Sequence, residues 1–515
     1  MANPLTRVKS VEQSMADTDE PGHQLRKNLT SWDLMVFGVS VVIGAGIFTI
    51  TATTAGNKAG PAISVSFIMA AIACALAALC YAEFASTVPV AGSAYTFGYA
   101  TFGEFLAWIL GWDLILEFAV GAAVVSKGWS SYLGSVFGFS GGTVDVGSLT
   151  IDWGAMVIVT FVSTLLVLGT KLSSRFSAVI TAIKVAVVLL VIVVGFFYVK
   201  AANYSPFVPP SQQVPGAEKS VDSTLFALIT GGGESSYGWY GVLAAASIVF
   251  FAFIGFDVVA TTAEETRNPR KDVPRGILGS LVIVTVLYVL VTIVVTGMVS
   301  YTQLATSAGD GQPKNLATAF ALNGVTWAEK TIAIGALAGL TTVVMVLMLG
   351  QSRVLFAMCR DGLLPRGLAK THPRFGTPAR LTVVIGVVVL IVAGFFPIDR
   401  LEEMVNVGTL FAFIVVAGGV MVLRRTRPDL TRGFTVPGGP VIPVLAIVAC
   451  LWLMLNLSAL TWIRFVVWMV IGVAVYFLYG MQHSMVGKRE RGEVAGVDSA
   501  PLTVGSAGGL DPDKK

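Results

Sequence analysis

The chain has 515 residues, is 55% hydrophobic and only 12% charged, where a soluble chain carries about 25% charged residues. That composition excludes an ordinary soluble enzyme. The formal net charge of +4 comes from basic residues scattered over loops, so no nucleic-acid partner is expected, and three histidines argue against a histidine-held metal; no metal or cofactor is expected.

Residues 1–30 are polar and mix acids with bases, which reads as a cytosolic tail and not a signal peptide. Residues 31–481 form the membrane domain. A crossing of ~30 Å of hydrocarbon needs about 20 apolar residues. Twelve such stretches are predicted, at 32–54, 63–84, 104–125, 153–169, 176–198 and 239–262, then 276–299, 331–356, 381–396, 404–423, 443–457 and 465–481. Residues 482–515 turn polar and rich in Gly, Ser, Asp and Lys, and are predicted to be a disordered cytosolic tail. Most of the 34 lysines and arginines fall on the tails and on the loops after spans six, eight and ten. By the positive-inside rule both termini lie in the cytosol of a multi-pass cell-membrane protein. One such loop, Thr266 to Pro274, reads as a basic anchor on the cytosolic side. Cys74, Cys80, Cys359 and Cys450 sit in or beside apolar segments without metal-ligand spacing, and read as buried thiols.

Two spans are interrupted near their middle. Span one carries Gly44-Ala45-Gly46-Ile47-Phe48, and span six carries Phe250-Phe251-Ala252-Phe253-Ile254-Gly255-Phe256-Asp257. Glycine permits a helix break, and a break frees backbone N–H and C=O groups that lipid cannot satisfy. A pair of interrupted spans at matching positions of two halves points to a binding site of the kind transporters use. Spans one to five and six to ten form such halves, with two further spans at the end.

The chain resembles the amino acid–polyamine–organocation superfamily, most closely its bacterial cationic amino acid transporters. The residues that carry this are the two breaks, the run from Glu83 through Pro89-Val90-Ala91-Gly92-Ser93-Ala94-Tyr95, Glu264-Glu265-Thr266-Arg267-Asn268-Pro269, and Cys359-Arg360-Asp361-Gly362-Leu363-Leu364-Pro365. The resemblance implies an all-α membrane fold of the leucine-transporter type, a five-plus-five inverted repeat with two additional C-terminal helices. It implies a secondary transporter of amino acids working by alternating access, with proton-coupled uptake of cationic amino acids (arginine, lysine, ornithine) as the expectation. Exchange, or a neutral amino acid or polyamine substrate, is the alternative. Many members have Gly-Thr-Gly at the first break, so with Ala45 in the middle the backbone is left as the donor.

Half-helix N-termini favour a substrate carboxylate, and the N–H groups of Ala45, Gly46 and Ile47 are the candidates. Ile43, Phe251, Ala252 and Ile254 are candidates to bind the ammonium and the side chain, with Met345 on span eight as a pocket wall. Charges inside a membrane are costly and default to functional hypotheses. Lys184 lies about 12 Å along span five. Either its stem snorkels to the surface, or it sits between spans one, five and eight, where a lysine takes the place of sodium in proton-coupled members of this fold. In that place it holds freed carbonyls and the hydroxyls of Thr341 or Thr342. Glu117 on span three is a contact for a cationic side chain, a proton site, or a paired structural acid. Asp257 reads as a cap on freed backbone, and Asp113 as lying nearer the inner face. A membrane enzyme would need a catalytic cluster, a channel would need pore rings, and a primary pump would need a phosphate-binding loop; the sequence has none of these signatures. The expected partners are a small amino acid, protons and the lipid bilayer.

Overall fold

A computed structural model describes residues 7, 29–88, 93–137, 142–147, 149–169, 174–213, 220–231, 235–306, 314–370, 372, 377–491 and 493. The Pro89 to Gly92 part of the second motif and most of both tails lie outside the described residues.

The chain is built from helices. In order they are α1 (Ser31–Val42), α2 (Ile63–Thr87), α3 (Ser93–Thr101), α4 (Glu104–Phe137), α5 (Trp153–Val167), α6 (Ser174–Phe196), α7 (Gly238–Val249) and α8 (Pro269–Met298). They continue with α9 (Leu316–Leu322), α10 (Thr326–Arg360), α11 (Ala379–Phe395), α12 (Ile398–Thr426), α13 (Val441–Leu455), α14 (Ala459–Val475) and α15 (Met485–Glu490). Among the described residues, eight helical stretches are long and apolar enough to cross a membrane, and α5, α11 and α13 are shorter apolar helices. The first stretch, Ser31–Thr87, is 57 residues long. It exceeds one crossing and turns at the short three-ten segment Gly60–Ala62.

Local chemistry fixes the ends. Thr30 and Asp33 form a capping box that starts α1, the Thr30 N–H donating to Asp33 at 2.9 Å. Pro269 opens α8, where its missing N–H costs nothing. The Thr266–Pro274 segment is therefore not simply a loop: its second half is the first turn of α8. Its first half is held by Leu29, whose N–H donates to Glu265 O at 2.9 Å and whose carbonyl accepts from Arg267 N–H at 3.0 Å.

Helices α2, α4, α8, α10 and α12 pack around the two interrupted segments, and the buried apolar side chains form one cluster through them. The outer helices are apolar on the opposite face as well. Val282, Val286, Leu290 and Ile293 of α8, and Val383, Val387 and Ile391 of α11, stand exposed at helical spacing. A surface of this kind is suited to lipid or to another protein and not to water. Among the described residues, a small antiparallel hairpin pairs Thr143–Val146 with Leu149–Asp152, and a second antiparallel pair joins Gln212–Gln213 to the distant Ser235–Ser236. The four cysteines are buried and free.

One end of the bundle is clasped by polar contacts. Glu83 at the end of α2 accepts from Arg424 of α12 at 2.7 Å and from the Val436 N–H at 2.7 Å. Tyr95 donates to Asp361 at 2.6 Å, and Glu104 accepts from Tyr99, Tyr476 and Ser484. Met485 N–H reaches Asp361 O at 2.9 Å. The first residues after 481 thus include a short helix, α15, anchored on this face.

Candidate functional site

Helix α1 stops where the sequence places glycine. Ile43 leaves the helix with ψ 92°, and helical structure resumes beyond Gly44 with a π-turn, Gly46–Ile50. The freed groups are almost all accounted for. In an unbroken helix the Ser40 carbonyl would accept from Gly44. Here Lys184 Nζ donates to Ser40 O at 2.6 Å instead, and the break is also met by the hydroxyl of Tyr288 on α8. That same hydroxyl donates to Val42 O at 2.7 Å. Thr49 donates to Ala45 O, and Tyr132 on α4 donates to Phe48 O at 2.5 Å. The first backbone N–H to find a carbonyl again is Phe48, on Gly44 O at 3.4 Å. The N–H groups of Ala45, Gly46 and Ile47 have no backbone partner among the described residues. They form the N-terminal end of a half-helix, where the dipole is positive.

The second break follows α7. A three-ten turn, Phe250–Phe253, leads to Ile254 with ψ 137° and to Gly255 with φ 118°, a conformation that glycine adopts without strain. The chain then resumes as a three-ten helix, Asp257–Glu265. Asp257 is buried where the helix resumes, and its Oδ1 has no hydrogen-bond partner among the described residues. From α12, Asn406 Nδ2 donates to Ser247 O at 2.8 Å, tying the preceding half to its neighbour.

The two breaks touch. A Cβ on Gly46 would stand 2.1 Å from Ala252 Cα, so only glycine fits. Beside this contact is a cavity of about 30 Å³, lined by Val41, Val42, Gly44, Ala45, Gly46, Glu117, Gly121, Val125, Phe251, Ile254, Val343, Leu347 and Val405. Glu117 is the one polar side chain among them. The volume suits a water or two. A second, larger cavity of about 710 Å³ opens beyond the far end of span one, bounded by Thr49, Ile50, Lys58, Lys127, Ile248 and Glu402 among others. Ile50 and Ile248 line this vestibule while Gly46 and Phe251 line the inner cavity. Between the two cavities span one advances four residues, from Gly46 to Ile50, and span six three, from Phe251 to Ile248.

Of the sequence-predicted residues, Ala45, Gly46, Phe251, Ile254 and Glu117 line the inner cavity, and Ala252 abuts Gly46. Ile43 and Ile47 are buried but not on its wall. Met345 is also off the wall; Val343 and Leu347, two positions either side on α10, line it instead. A helix turns about 100° per residue, so this is an error of helical phase. Lys184 does not snorkel: it is 0% exposed, its stem lies along Gly339 of α10, and its amine is on span one. Thr341 and Thr342 do not hold it. Their hydroxyls donate to Leu337 O and Gly339 O at 2.8 and 2.7 Å, the usual resting place for a hydroxyl inside a helix. Asp113, one turn before Glu117 on α4, is enclosed, and both its oxygens lack a hydrogen-bond partner among the described residues. Sequence reasoning missed Asn406, Tyr288 and Tyr132. An asparagine inside the apolar run 404–423 was the signal for the first; the two tyrosines look like ordinary core aromatics.

Comparison with known proteins adds the family. Residues 29–488 match the family model described as amino acid permease. The chain is similar to the branched-chain amino acid permease BcaP of Bacillus subtilis (strain 168), 43% identical over 499 residues covering 95% of this chain and 100% of the relative. It is similar to the methylthioribose transporter of the same organism, 41% identical over 493 residues covering 94% and 99%. The vacuolar cationic amino acid transporter 4 of Arabidopsis thaliana is 36% identical over 435 residues, covering 83% and 68%. A glycine-broken pair of spans meeting in an apolar bundle and a family match over nearly the whole chain converge: this protein belongs to the amino acid permease family of the amino acid–polyamine–organocation superfamily, and is a multi-pass membrane transporter, not an enzyme.

Proposed function

We propose that the protein is a proton-coupled secondary transporter that carries a zwitterionic α-amino acid with an aliphatic side chain across the cell membrane. The observation that carries this is the wall of the inner cavity, which at about 30 Å³ is closed here and admits an amino acid only when the Gly46–Ala252 contact parts. It offers the N–H groups of Ala45 and Gly46, which have no backbone partner among the described residues, to a carboxylate, and besides Glu117 it presents valine, leucine, isoleucine and phenylalanine side chains. Bare helix N-termini select an anion, and apolar walls select an apolar side chain. The branched-chain name of one relative agrees with that wall.

In this reading the fold is the leucine-transporter type, twelve spans with an inverted five-plus-five repeat. Both termini are cytosolic, so the vestibule faces outward and the polar clasp at Glu83, Asp361 and Glu104 closes the inner side. Lys184 is the coupling group: as an ammonium it holds Ser40 O beside the first break, and as a neutral amine it holds that carbonyl more weakly. A second reading, a cationic amino acid as substrate, rests on Glu117 being the polar side chain of the wall and on the cationic relatives.

The test is uptake into proteoliposomes with leucine, arginine, alanine, putrescine and methylthioribose as competitors, with and without an inward proton gradient. Leucine competing best and accumulating only with the gradient is the expected result. Arginine competing best would favour the second reading, gradient-independent uptake driven by internal amino acid would make the protein an exchanger, and competition by methylthioribose alone would overturn the amino acid reading. Gly46→Val is expected to abolish leucine counterflow in a protein that still purifies as a single species, because its side chain collides with the Ala252 backbone.

A further inference from the structure

The core-facing polar residues of α12 fall on one stripe. Glu402, Asn406 and Thr409 are four and three residues apart, so they stand one above another over about 10 Å of helix. At one end Glu402 lines the vestibule. Asn406, 0% exposed, gives its Nδ2 to Ser247 O, but its Oδ1 has no partner among the described residues, and neither has the hydroxyl of Ser247. Thr409 donates its single hydroxyl proton to Val405 O at 3.0 Å. The same hydroxyl lies within hydrogen-bond reach of the Glu117 carboxyl. One turn along α4, Asp113 Oδ1 is 2.9 Å from where a Cβ on Gly408 of α12 would stand, and both its oxygens are orphaned.

Enclosed polar atoms without partners are places for water or for a proton. We propose that this stripe is a hydrated proton path from the vestibule at Glu402, past Asn406 and Ser247, to a pair of proton-carrying carboxyls at Glu117 and Asp113. Its occupants are water and the hydrated proton; no other ligand is needed. A proton enters as hydronium at Glu402, passes along hydrogen-bonded water at the Asn406 and Ser247 oxygens, and is held by Glu117 or Asp113, leaving charge balanced at each step. The path is distinct from the Lys184 contact, which lies across the first break on α6. The charged groups that face it are Asp399 and Glu403 beside Glu402 on α12, and Lys58, Lys127, Asp152 and Lys314 around the vestibule. Asp257 and Tyr81 face the Glu117–Asp113 pair from span six and α2. The inference rests on the proton-coupled reading above.

The experiment uses the full chain in proteoliposomes with a pH-sensitive dye inside. Leucine-driven acidification and leucine counterflow, which needs no net proton movement, are measured in parallel for wild type, Glu402→Gln, Glu402→Asp and Asp113→Asn. Acidification is expected to fall about tenfold in Glu402→Gln and Asp113→Asn, with counterflow retained and Glu402→Asp partly restoring the signal. Acidification at the wild-type rate in both neutral variants overturns the path but leaves proton coupling standing. No acidification by the wild type overturns coupling and the path together. Parallel loss of counterflow in both Glu402 variants assigns that residue to structure and overturns its place on the path.

Discussion

Lys184→Ala removes concentrative uptake. The lysine is fully enclosed, and its amine is the partner of a carbonyl that the first break sets free. Deleting it leaves Ser40 O buried and unsatisfied, a cost of about 1–3 kcal/mol. At the middle of that range the break is destabilised by roughly thirtyfold, before the loss of the proposed coupling charge is counted. Lys184→Arg is not expected to rescue, because a planar fork does not fit a slot shaped for a slender stem against Gly339. Counterflow should survive better than accumulation, since exchange does not require the proton to cross. Unchanged accumulation in the alanine variant would sink the coupling role.

Glu117→Gln separates the two substrate readings. The amide keeps the shape and the contact with Thr409 but can neither carry a proton nor hold a charge. If Glu117 is a proton carrier beside an apolar pocket, leucine counterflow continues while leucine accumulation falls about tenfold, and arginine remains a weak competitor throughout. That is the result expected here. If instead the carboxylate pairs with a cationic side chain, its loss costs about 4 kcal/mol at contact distance near a protein surface, and arginine competition collapses while leucine is untouched. Competition assays with both amino acids on one preparation decide between them.

The two helix breaks and the buried lysine beside the first were legible because glycine and charge are loud signals in an apolar chain. Gly44-Ala45-Gly46 and Ile254-Gly255 announced the breaks, and Lys184 announced itself as a charge where none is cheap. The positions of Thr341, Thr342 and Met345 were not legible, since helix rotation decides whether a residue faces the cavity or its own helix. The partners of the freed carbonyls were hidden for another reason. Tyr288, Tyr132 and Asn406 come from α8, α4 and α12, far apart in sequence, and only packing brings them to spans one and six. Helix ends were read short at α8 and α12, where Pro269 and Ile398 begin the helix before the apolar window does. The Thr143–Val146 and Leu149–Asp152 hairpin was passed over, although alternating residues about Gly147 carried a hairpin pattern.

The central claim is that bare peptide N–H groups at Ala45, Gly46 and Ile47 receive the carboxylate of the transported molecule. A density map of the protein with its best-competing amino acid bound tests this directly. The account predicts the carboxylate within hydrogen-bond distance of those three nitrogens, with the aliphatic side chain among Val125, Val343 and Leu347. Density for the solute confined to the vestibule, with Gly46 and Ala252 still in contact and the small cavity empty, would contradict it.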